Sequence, residues 1–433
     1  MFVAIDDTDS INGNCTTFLA TEIIKEFQDL DLIGNPRLVR LNPAVPWKTR
    51  GNGSLIMQFG KGIGIKKLIG NIDGDIFCYE SFFNDPLSEN EFIDRIAPLI
   101  ERYHEDDSNP GLVVSKIRPN PTFYQKGVKT IVDRGIIEAE IKRIHAKKFE
   151  IGNGRGIVGS LCGMAWIPND FTFELLTYRK RENWGTERIY DKETIKNVEL
   201  HIRSTFNSYD VNHDQVAMIP STPCPVMYGL RGDDDQDLLK GLKSIKCEEL
   251  DRWMLFLTNQ GTDDHIIYDS TNLIPNQSYC FEGVVKSPAI REKGGHTFIE
   301  VMCGDSVVTC AAYEPSKDFR SVLDGLSKGD VIEVMGELRE NPRTLNIEKI
   351  NVLKLVDVFE KYSNPICGLC GKRMKSTGFQ KGYRCRDCDT TSNSPLERKV
   401  ERKIHEGWYE PPVFARRHLS KPLKRMNKGS IDE

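Results

Sequence analysis

The sequence predicts a multidomain α/β and α+β protein, and three observations carry that prediction. Residues 1–147 alternate strand-like and helical runs, residues 275–357 carry five strand-like runs with one helical run among them, and residues 362–395 hold two Cys-x-x-Cys pairs. A chain of 433 residues exceeds what a single core organises, so several domains of roughly 100–200 residues are expected. With 39% hydrophobic residues and no apolar run near the ~20 residues of a membrane span, a soluble chain without membrane contact is expected. The opening Met1-Phe-Val-Ala-Ile-Asp6 lacks the basic-then-apolar layout of a signal peptide. Eight of the 12 cysteines are scattered singly, which suits a reducing, cytoplasmic setting and argues against a disulfide framework.

In the first domain, expected over residues 1–147, the strand-like run 2–5 delivers the chain into Asp6-Asp7-Thr8-Asp9-Ser10. Three carboxylates within four residues repel one another, and folded proteins hold such clusters around a cation or use them in phosphate chemistry. Phe18, Leu19, Ile23, Ile24 and Phe27 recur at helical spacing, so Cys15-Thr16-Thr17 falls at a helix N-terminus, where unpaired N–H groups favour an anion. An EF-hand starting at Asp7 is excluded, because Ile11 takes a ligand position and Asn12 the glycine position. Asp6 and Asp9 as turn formers, with Thr16 as a helix cap, remains open. So does a haloacid-dehalogenase-type nucleophile in Asp7-Thr-Asp9-Ser-Ile11, which fits the strand placement but carries Ile11 where Thr or Val is usual.

Further strands are expected at 38–41, 54–59 and 112–117. A helix over 88–103 should be capped by Ser88 with Glu91 and kinked or limited by Pro98. The acids fall at the carboxyl end of their strand, the expected active edge of an α/β domain. Lys48-Thr-Arg-Gly-Asn-Gly53 is the second chemical cluster. Gly51 and Gly53 would let the backbone approach a phosphate, with Lys48 and Arg50 supplying charge and Asn52 an amide. Its glycine spacing is not that of a Walker A loop.

A second unit, over 148–265, contains strand-like 173–179, 226–230 and 253–258 and a helical run at 236–245. The order is compatible with a ferredoxin-like α+β sandwich. Its glycine run, Gly152-Asn-Gly-Arg-Gly-Ile-Val-Gly159, is read as serving backbone geometry. Residues 275–357 show strands at 279–285, 297–302, 307–313, 331–338 and 345–353 with a helix at 319–326. That is the layout of an oligonucleotide-binding (OB-fold) barrel, which other small barrels share.

Cys367-x-x-Cys370 and Cys385-x-x-Cys388, 14 residues apart, predict a tetrahedral zinc ribbon over 362–395, closed and therefore structural. From Cys367 onward 16 Lys and Arg face 8 Asp and Glu, a net +8, so residues 1–366 carry −12. A basic tail over 396–433 attached to an acidic body points to nucleic acid. Tyr383, Trp408, Tyr409 and Phe414 among the arginines point to RNA, whose bases stack on such rings. His145, His201 and His213 are isolated and read as structural.

Ile5-Asp-Asp-Thr-Asp-Ser10, Cys15-Thr-Thr17, Lys48-Thr-Arg-Gly-Asn-Gly53, Phe173-Glu-Leu-Leu-Thr-Tyr-Arg179, Thr222-Pro-Cys-Pro-Val-Met-Tyr-Gly-Leu-Arg-Gly232 and the zinc knuckles together resemble the archaeal agmatidine synthetases acting on isoleucine tRNA. The resemblance covers nearly the whole chain, and the part beyond Ser394 is its least distinctive. It implies a kinase-like catalytic domain, a ferredoxin-like domain, an OB-fold barrel and a zinc ribbon. The implied reaction is ATP-dependent replacement of the C2 oxygen of the wobble cytidine by agmatine, in an isoleucine tRNA with a CAU anticodon. Asp6, Asp7 and Asp9 would then hold Mg2+, Asp7 foremost, and Thr16 would carry the hydroxyl that becomes phosphorylated. Lys48, Arg50, Gly51, Asn52 and Gly53 would bind the phosphates of ATP, and Zn2+ would sit on Cys367, Cys370, Cys385 and Cys388. Agmatine is cationic and needs an acidic pocket, for which Glu174 and Asp210 are the candidates. The rival readings are a non-catalytic nucleic-acid-binding protein and a metal-dependent phosphatase.

Overall fold

The structure, a computed structural model, describes residues 1–48, 51–84, 87–269 and 271–426. One 11-stranded sheet runs through both N-terminal regions. Its order is Val226–Gly232, Thr172–Arg179, Leu250–Thr258, Gly62–Asn71, Asp75–Phe82, Asp31–Ile33, Gly53–Gly60, Phe2–Asp6, Gly111–Ser115 and Lys147–Glu150, with Arg37–Arg40 paired to both Gly53–Gly60 and Leu250–Thr258. Phe2–Asp6 is antiparallel to Gly53–Gly60 on one side and to Gly111–Ser115 on the other.

The alternation of side chains along Phe2–Asp6 assigns its two faces. Val3 and Ile5 join the core beneath helices Thr16–Glu26 and Glu89–Tyr103, while Ala4 faces helix Gly156–Met164. Both faces are covered, which is why the strand is apolar throughout. The capping box forms as expected: Ser88 N–H donates to Glu91 Oε2 at 2.7 Å and Glu91 N–H to Ser88 Oγ at 3.3 Å. Pro98 does not end that helix, which continues to Tyr103 with Ile96 and Ile100 buried on one face.

A boundary at 147/148 does not separate two cores. Ile5, Phe18 and Met57 share one apolar cluster with Leu175, Tyr178 and Leu255. The two regions join at hairpin Gly62–Asn71/Asp75–Phe82, whose first strand pairs with Leu250–Thr258, and at Arg37–Arg40, which pairs with the same strand. That hairpin is rich in glycine and charge and carries little strand signal. Helix Gly156–Met164, which the sequence places in the second unit, packs on Phe2–Asp6, Gly53–Gly60 and Gly111–Ser115.

The five strands of the third region close on themselves. Gln277–Val285 pairs with Thr297–Cys303, that strand with Ser306–Ala312, and Ser306–Ala312 in parallel with Leu345–Lys354. Leu345–Lys354 then pairs with Val331–Leu338, which returns to Gln277–Val285. Helix Phe319–Gly325 stands between the third and fourth strands, and Tyr279, Phe281, Val301 and Ile350 fill the interior.

As far as Met426, the basic C-terminal segment packs back onto the fold. Leu396–Lys399 pairs with Phe359–Ser363, Gly407–Tyr409 adds to barrel strand Leu345–Lys354, and residues 410–426 cross back over the N-terminal body. Its cations are matched within the fold: Arg402 by Asp330, Arg416 by Glu410, Lys421 by Asp170, Lys424 by Glu199, and Arg425 by Asp170 and Asp233. Trp408 and Tyr409 lie in the added strand, and Phe414 packs edge-on against His213 at 5.5 Å. Proximity to internal carboxylates, invisible in a linear charge count, turns this segment into a strap. Among the described residues no helix is long and apolar enough to cross a membrane.

Candidate active site

The acidic motif leaves Phe2–Asp6 at its carboxyl end and turns at Asp7, whose φ is +55°. Aspartate enters this left-handed region more readily than most residues, because its short polar side chain bonds locally. Two hydrogen bonds pin the turn: Asp7 N–H donates to Asp6 Oδ1 at 2.7 Å, and Asn109 N–H donates to the Asp7 carbonyl at 3.1 Å. Asp9 Oδ1 accepts from the Thr16 N–H at 2.7 Å and from its hydroxyl at 3.0 Å. Asp9 thus caps helix Thr16–Glu26 from outside the helix and aims the Thr16 hydroxyl at the acids. All four residues line one cleft of about 510 Å³, whose other wall includes Trp47, Ile131 and Val132.

Arg155, Gly156, Val158 and Gly159, from the second half of the glycine run, also line that cleft. A Cβ on Gly156 would sit 2.6 Å from the Asp6 carbonyl oxygen, and one on Gly159 would overlap the Asp6 carboxylate. Only glycines let helix Gly156–Met164 approach this closely. The residue leading into the helix, Arg155, donates from Nε to Asp7 Oδ2 at 2.5 Å.

Burial, reinforced by the neighbouring Asp7, pushes the Asp6 carboxyl up to about 8. Asp7 is raised as well by burial, with Arg155 opposing the shift. Cys162 faces the same cleft, but burial and the Asp6 charge push its thiol up to about 12, so it is no nucleophile at neutral pH. A pH dependence follows with a definite sign. The metal-free fold keeps the Asp6 proton up to about pH 8, whereas the unfolded chain releases it near its ordinary value of 3.8. Metal-free stability should therefore fall as pH rises from about 5 to about 8, a slope that Asp6→Asn should reduce. Urea melts of EDTA-treated protein check this, and equal slopes in the two proteins would contradict it.

In the basic segment, Arg50 lies outside the described residues. Lys48, Asn52 and Gly53 line the cleft. The Lys48 ammonium donates to the Pro43 carbonyl, and the Asn52 amide donates to the Asn42 carbonyl at 2.9 Å. Gly51 does not reach the cleft. A Cβ there would stand 2.8 Å from the His418 ring and 3.0 Å from the Arg40 guanidinium, so these two side chains occupy the space beside the glycine.

Neither acid expected for agmatine offers an open pocket. Glu174 is 2% exposed, accepting from Arg231 Nε at 2.9 Å and Gln260 Nε2 at 2.5 Å. Asp210 accepts from the Val413 N–H at 2.7 Å, the His213 N–H at 3.0 Å and the His213 ring at 3.0 Å. Although burial acts to raise it, those bonds hold Asp210 below the usual carboxylate range. A buried carboxylate has to be paired, and both have found their partners inside the protein.

The four cysteines do come together, with the Sγ atoms of Cys367, Cys370, Cys385 and Cys388 all within 4.8 Å of one another. The Thr390 hydroxyl and the N–H groups of Cys370 and Leu369 hold the Cys367 thiol down to about 6, which favours the thiolate that zinc binds.

Residues 2–153, 154–265 and 364–404 match the family models of the TiaS TCKD domain, the TiaS FLD domain and the TiaS C-terminal zinc ribbon domain. The isoleucine-2 tRNA 2-agmatinylcytidine synthetase TiaS of Archaeoglobus fulgidus is 38% identical, over 99% of this chain and 98% of its own. The chain belongs to the TiaS family. Its fold is similar to a crystal structure of TiaS in complex with the isoleucine-2 tRNA and ATP, with a TM-score of 0.86 and 37% identity over 98% of this chain and 97% of that one. A crystal structure of TiaS in complex with the same tRNA, AMPCPP and agmatine gives a TM-score of 0.82 and 34% identity over the same shares.

For a member of the TiaS family, Arg155 and His418 are the residues at this site that sequence reasoning passed over. A glycine run ending in an apolar helix was the available signal for Arg155, since that pattern often brings a helix terminus to an anionic group. His418 lies 367 residues beyond Gly51 and carries no local signal.

Proposed function

We propose that this chain is the ATP-dependent ligase that joins agmatine to C2 of the wobble cytidine in an isoleucine tRNA with a CAU anticodon. The observation that carries it is the single cleft in which Asp6, Asp7, Asp9 and the Thr16 hydroxyl meet. Whole-length similarity to TiaS structures holding the isoleucine-2 tRNA, ATP, an ATP analogue and agmatine supports it. The phosphatase and non-catalytic readings are not favoured by that similarity.

The domain assignments belong to the same proposal. Residues 1–147, with helix Gly156–Met164, act as a kinase-like catalytic unit. Residues 148–265 act as a ferredoxin-like unit, supported by helix Asp235–Ser244 carrying the chain from Val226–Gly232 to Leu250–Thr258 across Thr172–Arg179. The closed barrel over 275–357 serves as an OB-fold, and residues 362–395 as a zinc ribbon presenting Lys375, Lys381 and Arg386 to RNA. Residues 396–426 act as the strap. The reaction would take place in the cytoplasm.

Mg2+ fits the acid cleft, since a raised Asp6 beside Asp7 and Asp9 is what a divalent cation relieves. Asp7 and Asp6 would hold the ion, and when bound it neutralises the charge of the ATP phosphates. Lys48 adds positive charge on the opposite wall. Asp9 holds the Thr16 hydroxyl in position and is placed to take its proton as that oxygen accepts a phosphoryl group from ATP, the cleaved P–O bond leaving its electrons on the departing nucleotide. A phosphoryl group transferred from ATP to the C2 oxygen of cytidine, with the electrons of the cleaved P–O bond leaving on the departing nucleotide, turns a poor leaving group into phosphate, which the agmatine amine displaces with loss of a proton. The base has to leave its stack to reach the cleft.

Purified protein incubated with ATP, Mg2+, labelled agmatine and an isoleucine tRNA transcript bearing CAU should incorporate label only when ATP is present. An elongator methionine tRNA with the same anticodon should stay unlabelled. No incorporation by folded, zinc-loaded protein would rule the assignment out.

A further inference from the structure

We propose that the C-terminal strap completes the phosphate site, with His418 as a positioning residue for the Gly51–Gly53 segment and Arg417 tying the Pro43 carbonyl, which also receives the Lys48 ammonium, to the barrel. This rests on the cleft being the ATP site.

Three observations converge on residues 417–419. Leu419 is 1% exposed and sits in the same core as Ala4, Leu41, Ile56 and Ile157, the residues that back the acidic strand and its covering helix. The strap is also hydrogen-bonded through its backbone. Gly261 N–H donates to the His418 carbonyl at 2.8 Å, and Asp263 N–H to the Leu419 carbonyl at 2.9 Å. These bonds hold the His418 ring against the α-carbon of Gly51, in the space where any other residue would place its Cβ.

Gly51 is held from a second side, because its carbonyl accepts from Arg40 at 2.5 Å. Burial, with Arg40, Arg231 and Lys48 close by, keeps the imidazole well below its ordinary value. The ring is therefore neutral, and its packing on Gly51 adds no further charge to a cationic corner. Arg417 makes the remaining link. It pairs with Glu337 and Glu348 on the barrel strands and donates to the Pro43 carbonyl at 3.4 Å, the same oxygen that receives the Lys48 ammonium. A cavity of about 230 Å³ bounded by Arg40, Lys48, Gly51, Arg417 and His418 adjoins the main cleft and shares Leu41, Lys48 and Asn52 with it. The wall carrying Lys48 and Asn52 is thus propped from behind by residues that arrive after the zinc ribbon. A floppy wall costs ordered phosphate contacts without removing any catalytic group, so the effect should fall on ATP binding.

The test is steady-state turnover of the full chain with its tRNA and agmatine, resolved into KM for ATP and kcat, beside thermal melts. Gly51→Ala should raise KM for ATP about tenfold with a smaller change in kcat, because the new methyl group displaces the ring. In a His418→Ala background the same Gly51→Ala change should add less than about threefold, since the obstructing ring is gone. His418→Gln, whose side chain of similar reach ends in a planar amide, should raise KM by less than His418→Ala. Leu419→Ala should lower Tm and raise KM for ATP by less than His418→Ala, because the backbone bonds from Gly261 and Asp263 still hold the strap. Equal Gly51→Ala penalties in both backgrounds would overturn the proposal. So would a wild-type KM in Gly51→Ala, a variant that leaves the whole strap in place and remains informative even if the His418 variants fold poorly. Failure of the wild-type chain to turn over ATP at all would instead remove the active-site reading, and this proposal with it.

Discussion

Asp7→Asn should remove ATP-dependent agmatine incorporation, lowering kcat/KM by about three orders of magnitude while leaving the fold intact. The substitution conserves volume, and asparagine tolerates the left-handed φ of +55° at least as well as aspartate. What disappears is the charge that Arg155 partners at 2.5 Å and that a metal ion would require. The control has to be chosen from the structure. Asp107 looks like a surface residue in the sequence, yet its Oδ2 accepts from the Ile11 N–H at 2.9 Å and its charge bears on Asp7. Asp94, exposed on helix Glu89–Tyr103, is the better comparison, and Asp94→Asn should be indistinguishable from wild type. Circular dichroism and melting curves check the fold, and labelled-agmatine incorporation checks the activity. Near-normal product formation by folded Asp7→Asn would take the metal role away from Asp7.

Cys385→Ser, or prolonged chelation, should release the zinc and unfold the ribbon while leaving ATP binding unchanged. The ribbon core is Cys367, Met374 and Cys385, separate from the cluster beneath the acidic strand, so little apolar packing holds it without metal. Weaker tRNA binding, by about tenfold or more, is expected because the exposed Lys375, Lys381 and Arg386 would no longer be held by a folded ribbon. The strap adds a constraint. Residues 410–426 are anchored to the body through Leu419 and their ion pairs, so loss of the ribbon should not free that segment. Limited proteolysis should cut within the ribbon and spare the strap. Metal analysis of fresh protein that finds no tightly held zinc would overturn this reading.

Local pattern made much of the architecture legible. The apolar run before Asp6, the helical spacing after Thr16, the Ser88–Glu91 box, the five barrel strands and the cysteine pairs each declare themselves within about 15 residues, the range over which periodicity and capping act. The acids and Thr16 could be gathered into one site because they lie within one strand–turn–helix. Glu174 and Asp210 could not be judged the same way. A carboxylate reads identically in sequence whether it faces solvent or, as here, is buried and saturated by Arg231, Gln260, His213 and Val413.

The sequence by itself determined the chemical inventory: three acids after a strand, a hydroxyl at a helix start, a basic glycine segment, a five-stranded barrel and four thiolates at zinc spacing. Tertiary structure alone decided what those groups face. It joined two expected cores through one sheet, set Gly156 and Gly159 beneath Asp6, paired Arg155 with Asp7, and folded the basic C-terminus into a strap against internal acids. The reason is range. Periodicity and capping are written in neighbouring residues, whereas the pairing of Arg155 with Asp7, or of His418 with Gly51, depends on close packing between segments about 150 to 370 residues apart.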